Sequence, residues 1–226
     1  MAPLTQFPRN PDCTLCPKHL EVGEGGTVCV PTIRVPSLEG ENTPAVVFLG
    51  LNPGPEENAQ GEPFVGKSGK LLRTTYFAPP TPEDLPLPEI ATIYLTNTGR
   101  CGPNPELRPK DATVCFTTYT LPDLHEIKQH HALVILIALG AVAVKTALGA
   151  PSLKKAFALN GRDFTPVADY AFAMYHPAYC LPHRSPGSIT TVIDHMRVVH
   201  RLLRPQARSA PSSEPTIVPP FYPRSP

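Results

Sequence analysis

The sequence predicts one α/β domain around a central, mostly parallel sheet of four to five strands, and three observations carry that prediction. Ala45 to Leu49, Ile90 to Thr96 and Leu133 to Leu139 are short apolar runs with the length and composition of buried strands. Each ends in a glycine-containing turn and is followed by helix-forming sequence, the alternation that parallel strands require. At 226 residues the chain is long enough for one full core and short for two. The domain is expected to span residues 1–203, with 204–226 as a disordered tail rich in proline and serine.

In chain order, Met1 to Asn10 reads as a leader, and Cys13-Thr-Leu-Cys16 follows it. A CxxC offers two thiolates to one metal, a pattern shared by zinc sites, redox motifs and iron-sulfur clusters. Glu21 to Thr43 reads as a connection with one short strand around Val28 to Val30, and its Cys29 reads as a small buried side chain. After the first strand, Gly50 to Gly69 (GLNPGPEENAQGEPFVGKSG) is dense in glycine and proline. Such a loop has a fixed backbone shape, and it lies at the carboxyl edge where ligands of open α/β sheets bind. Asn52, Glu56, Glu57, Asn58 and Phe64 are the side chains it has to offer.

Lys70 to Phe77 reads as a helix, Ala78 to Pro88 as an acidic connection, and the second strand delivers Asn97 to the same edge as Asn52. A helix is expected from Pro109 through Cys115, broken at Pro122 and resuming from Asp123 to His130. Gly140 turns the third strand into the helix Ala141 to Leu148. Phe164 to Val167 and Tyr170 to Tyr175 read as further strands that lead into His176. Ser188 to Leu203 is an amphipathic helix presenting Ile189, Val192, Ile193, Met196, Val199 and Leu203 on one face.

The formal charge of +1 gives no global attraction to nucleic acid, so such a partner must be met by a local basic patch. No export signal is evident, and the longest apolar run, Ala132 to Val144, is too short to span a bilayer. The expectation is therefore a soluble intracellular protein, cytoplasmic or nucleoid-associated, acting as a monomer without a membrane partner. Six cysteines in such a chain point to metal ligation or burial and away from a disulfide framework. No histidine or carboxylate joins the cysteines to leave an open catalytic metal position.

The polar loops together resemble the uracil-DNA glycosylase superfamily, and most closely its iron-sulfur-containing family 4. GLNPGPEENAQGEPFVGKSGKLL resembles the family's first motif, LTNTGRCGP the segment of the base-reading asparagine, LIALGAVAVKTALG its strand-glycine-helix, and MYHPAYCLPHR its histidine-proline loop. The likeness covers roughly Pro11 to Leu203 and implies a three-layer α/β/α fold. One departure stands out. Family 4 has glutamate then alanine where this chain has Leu51 then Asn52, an arrangement similar to the GINPG and GMNPG loops of the mismatch-specific and single-strand-selective families.

The resemblance implies an enzyme that flips uracil out of DNA and hydrolyses its bond to deoxyribose, with other deaminated bases as further candidate substrates. Asn52 would orient the attacking water and His176 would donate to the departing base. Phe64 would stack on the base, Asn97 would read its edge, and Gly50, Leu51 and Glu57 would complete the pocket, with Glu57 and Asn58 set against the thymine methyl. Lys67, Lys70, Tyr179, Leu181 and Arg184 would contact DNA, joined at the phosphates by Arg73, Arg100 and His183. Lys67 and Lys70 also read as an ordinary solvated helix face. Cys13, Cys16, Cys101 and Cys115 would hold a structural 4Fe-4S cluster, with a structural zinc as the alternative. A non-catalytic DNA-binding or scaffold protein is the competing reading, and the proline-rich tail is a candidate site for a protein partner.

Overall fold

The computed structural model describes residues 7–40, 42–103, 106–164, 167–181, 185 and 187–204. Its strands are β1 (Ile33–Val35), β2 (Pro44–Gly50), β3 (Thr92–Asn97), β4 (Leu133–Leu139), β5 (Arg162–Phe164) and β6 (Ala168–Met174). They form one sheet in the order β1-β3-β2-β4-β6-β5. The inner four strands are parallel, and the three-residue β1 and β5 lie antiparallel along the two edges. The edge strand expected at Val28 to Val30 is instead Ile33–Val35, because Cys29 takes a left-handed φ of 55° that no strand residue adopts. The last two strands begin and end slightly before the expected positions.

The helices are α1 (Pro55–Gln60), α2 (Lys67–Leu71), α3 (Leu87–Ile90), α4 (Pro109–Cys115), α5 (Leu121–His130), α6 (Ala141–Leu148), α7 (Leu153–Phe157) and α8 (Ser188–Leu203). A π-helical stretch, Leu72–Tyr76, extends α2, and a second, Phe116–Thr120, joins α4 to α5. The break expected at Pro122 is absent. Pro122 falls in the first turn of α5, directly after the π-helical stretch, and the helix runs on through it.

Every residue of β2, β3 and β4 is buried, so alternate side chains feed two separate cores. Val46, Phe48, Ile93, Leu95, Ile135, Ile137 and Phe172 pack on one face with Leu72 and Tyr76 and with Val192, Met196, Val199 and Leu203 of α8. Val47, Leu49, Val134, Leu136 and Ala138 pack on the other with Phe116, Leu124, Ile127, Ala143 and Val144. Three layers result, as the resemblance implies. Among the described residues no helix is long and apolar enough to cross a membrane.

The topology positions a site. The chain leaves β2 toward β3 on one side, and leaves β4 toward β6 on the other, so a switch point opens between β2 and β4 at their carboxyl ends. Gly50, Asn97, Gly140 and His176 all lie at that edge.

Candidate active site and thiol pocket

The loop after β2 is shaped by one carboxylate. Glu57 accepts the Gly54 N–H with one oxygen and the Gly66 N–H with the other, each at 3.0 Å, and so ties both arms of the loop together. It is buried, and both oxygens face backbone donors. Glu57 is therefore a loop clamp and not the base-contacting residue expected. Asn58 is likewise engaged elsewhere, donating to the Val22 carbonyl at 2.8 Å.

Phe64 sits in this loop at a φ of 58°, unusual for a residue with a Cβ. Arg73 holds it there by donating to the Phe64 carbonyl and, at 3.3 Å, to that of Gly69. Arg73 is itself exposed and makes both bonds through one terminal nitrogen, so it has a role within the loop besides the phosphate contact expected of it. The strained backbone turns the Phe64 ring toward Gly50, so close that a Cβ on Gly50 would stand 2.7 Å from Phe64 Cζ and overlap Asn97 Oδ1. Parallel pairing sets Gly50 directly beside Asn97, which explains the approach. Thr98 fastens the junction, donating to the Gly50 carbonyl from its N–H at 3.0 Å and its Oγ1 at 2.6 Å, while the Gly99 N–H donates to Leu51 at 2.8 Å. Asn97 is 6% exposed, and among the described residues no group hydrogen-bonds its side-chain amide.

His176 closes the fourth side. Its ring lies 6.1 Å from that of Phe64, inclined by 28°, and its Cβ would be 3.3 Å from a Cβ placed on Gly140. Part of its surface remains accessible, yet the surrounding protein desolvates the ring enough to push its pKa down to about 4. The imidazole is thus neutral at pH 7. Its Nδ1 accepts the Ala178 N–H at 3.2 Å, which leaves the proton on Nε2 and makes that nitrogen a donor. Gly50, Phe64, Asn97 and His176 are brought together. Asn52 stands two residues beyond Gly50, half-buried, donating to the Pro53 carbonyl at 3.1 Å.

A buried neutral histidine has a consequence for stability. The unfolded chain takes up a proton near pH 6.5 and the folded protein resists it down to about 4, so stability falls as pH falls through that window. Urea unfolding at pH 7.5 and 4.5 is expected to show that His176→Gln loses less stability on acidification than the parent, by roughly 2–3 kcal/mol. Parallel losses in the two proteins would contradict the assigned state. His131, His195 and His200, also lowered by burial, leave a residual slope in both.

Tyr179 is 48% exposed and stacked on Tyr175, with ring centres 5.2 Å apart, beside the exposed Lys67 and Lys70 of α2. Leu181 is half-buried, and Arg184 and His183 lie outside the described residues. Arg100 contradicts its expected role at a phosphate. It is 1% exposed, ion-paired with Asp123, and donates to Thr32 at 2.8 Å and Thr120 at 3.4 Å.

Behind the loop, Cys13, Cys16, Cys101 and Cys115 line one pocket, partly open to solvent, with a cavity volume of about 10 Å³. A fifth thiol, Cys29, lines it too, together with Tyr119 and Arg100. Burial raises the Cys101 thiol to about 11 and that of Cys115 to about 12, and pushes up Cys16 and Cys29. With no metal bound these thiols keep their protons, and a metal would have to displace them. The pocket is coupled to the site by the next residue: a Cβ on Gly102 would overlap the Pro53 carbonyl.

Residues 38–197 match the model of the Uracil DNA glycosylase superfamily, well over half of the chain. The chain belongs to the uracil DNA glycosylase superfamily. Among curated members it is similar to the "Type-4 uracil-DNA glycosylase" of Thermotoga maritima, 27% identical over 76% of this chain and 80% of that one. Proteins of the same description from Saccharolobus solfataricus and Archaeoglobus fulgidus are 28% and 29% identical, over 63% and 50% of this chain and 65% and 52% of their own lengths. The superfamily match covers all four residues of the candidate site.

The roles of three participants are not legible in the sequence. Thr98 and Arg73 act through backbone carbonyls, which leave no pattern along the chain. Cys29 carries a signal, as one more cysteine within reach of the CxxC, but nothing in its neighbourhood pairs with it.

Proposed function

We propose that this protein is a DNA glycosylase that hydrolyses the bond between deoxyribose and uracil, the first step of base excision repair. The observation that carries the reading is the convergence of Gly50, Phe64, Asn97 and His176 at one strand edge in a chain of this superfamily.

A uracil flipped from the stack lies on Phe64, whose flat ring gives affinity and little choice. Asn97 supplies the choice. Its amide accepts from uracil N3–H and donates to O4, the pattern that cytosine reverses. As the glycosidic bond lengthens, negative charge gathers on the base and cation character on the sugar. His176 Nε2–H then donates to the base O2, and because the ring is already neutral it stabilises the anion without protonating it. Asn52 orients the water through its amide oxygen. An amide is a feeble base, so the chemistry relies on stabilising the leaving group. Lys67, Lys70, Tyr179, Leu181 and Arg184 are assigned contacts with the duplex from the sequence, and the packing of α2 against the Pro177–Tyr179 turn supports a shared surface for Lys67, Lys70 and Tyr179.

The thiol pocket suits a 4Fe-4S cluster on Cys13, Cys16, Cys101 and Cys115 better than zinc. One zinc needs four ligands about 2.3 Å from a single point. Among the described residues no three such side chains are grouped to hold a single ion, yet the thiols ring a common space. A cluster spreads its ligands over four irons. When bound it would pin the N-terminal segment to the loop that buttresses Leu51 and Pro53.

The test is release of free base from oligonucleotides carrying uracil, hypoxanthine, thymine opposite guanine, or cytosine, followed by alkaline cleavage at the gap. Release from uracil is expected, and hypoxanthine release would show that the Leu51-Asn52 loop admits further deaminated bases. DNA binding with no base released would replace this reading with the non-catalytic one.

A further inference from the structure

The sulfur not used by that reading is Cys29. It is fully buried, lines the same pocket as the other four thiols, and sits at a left-handed φ of 55° between two valines. That conformation is costly for any residue with a Cβ, and persists where the surroundings enforce it. Here they do so through two bonds. The Cys29 N–H donates to Cys101 Sγ at 3.3 Å, and the Val30 N–H donates to the Arg100 carbonyl at 2.8 Å. The backbone is thereby bent around the Cys101 sulfur, with the Cys29 side chain turned into the pocket.

The five thiols are not equivalent. The Cys29 thiol has Cys13 and Arg100 as electrostatic neighbours, and Cys101 and Cys115 each count Cys29 among theirs. These four share the interior. Cys16 is half-buried at the pocket's rim, just before a 3-10 turn, with Cys13, Cys101, the buried Asp111 and the exposed Arg108 among its neighbours. A cluster that takes four thiols in a pocket lined by five leaves one to spare, and the two least alike are the half-buried Cys16 and the enclosed Cys29.

We infer that Cys29 is a fifth ligand for the cluster, placed to take over the iron held by Cys16. The exchange is a simple substitution. The bond from iron to Cys16 sulfur would break, one to Cys29 sulfur would form, and the proton of the Cys29 thiol would pass to the Cys16 thiolate, or to solvent where Cys16 is alkylated or replaced. No electrons are moved, so no oxidant is required. The site would thus keep its cluster through loss or modification of its most accessible ligand.

This inference rests on the cluster reading, and the experiment separates the two. Iron and acid-labile sulfide are measured per chain in the anaerobically reconstituted parent, Cys16→Ala, Cys29→Ala, the double variant and Cys101→Ala. About four irons in the parent are expected; a parent holding zinc or no metal would refute the cluster reading itself. Given a loaded parent, both single variants at Cys16 and Cys29 should keep about four irons, while the double variant and Cys101→Ala fall below about one. Cys16→Ala as empty as the double variant would overturn the inference, as would a double variant as full as the parent. A second measurement needs no variant: the loaded parent is alkylated briefly, and chains modified at Cys16 are separated and assayed. Chains alkylated at Cys16 that keep their iron support the exchange, and chains that lose it refute the exchange.

Discussion

Asn97→Asp is expected to slow single-turnover release of uracil by two to four orders of magnitude, with binding to abasic DNA held within about threefold. The substitution keeps the shape and removes the donor. In the parent, Asn97 presents one acceptor and one donor group beside Gly50, is buried, and among the described residues has no other hydrogen-bond partner for its amide. With a carboxylate in its place both atoms are acceptors, so uracil O4 meets a carboxylate oxygen in a site shielded from water. Leaving such a pair buried costs about 3–5 kcal/mol, which is the rate loss quoted. Cytosine fares differently. Its 4-amino group can donate to the new carboxylate, so the ratio of uracil to cytosine release should narrow by more than uracil release alone would suggest. Uracil release within tenfold of the parent would mean that the base is read by some other group.

The central strands were legible because seven-residue apolar runs buried on both faces have few other readings, and β2 and β4 are such runs. The edge strands were not. β1 holds three residues with Arg34 in the middle, and its position depends on the turn at Cys29 and on pairing with β3. Within the site, Gly50, Phe64, Asn97 and His176 were named from motif resemblance, and what the sequence could not supply was their mutual approach. That approach depends on the parallel register of β2 with β3 and on the strained Phe64. Charged residues were the least legible. Glu57 and Arg100 both sit in polar, glycine-rich stretches that read as ligand contacts. Each is engaged internally, Glu57 by the amides of Gly54 and Gly66 in its own loop, and Arg100 through Nε and one terminal nitrogen by Thr32, Thr120 and Asp123 from separate segments. Pairing of this kind leaves no local period.

Two glycines of the first motif are expected to fail in opposite ways when each is changed to alanine. At Gly50 a Cβ would meet the ends of two side chains, Asn97 Oδ1 and Phe64 Cζ. Side-chain ends can swing aside, so Gly50→Ala should fold with a melting temperature within about 4 °C of the parent. The cost falls on the pocket, because the two groups displaced are those that read the base and stack on it. Single-turnover uracil release should drop by two to three orders of magnitude, an effect of about 3–4 kcal/mol on the barrier. At Gly69 a Cβ would overlap the backbone carbonyl of Phe64, which Arg73 already holds. Neither group can rotate away without moving α2, so Gly69→Ala should lose about 2–3 kcal/mol of stability and melt roughly 5–10 °C lower. Calorimetry on both proteins, beside the release assay, separates the cases. A Gly50→Ala protein that releases uracil at the parent rate would mean that Phe64 and Asn97 can part without loss of function, and the pocket described here would not be where the base binds.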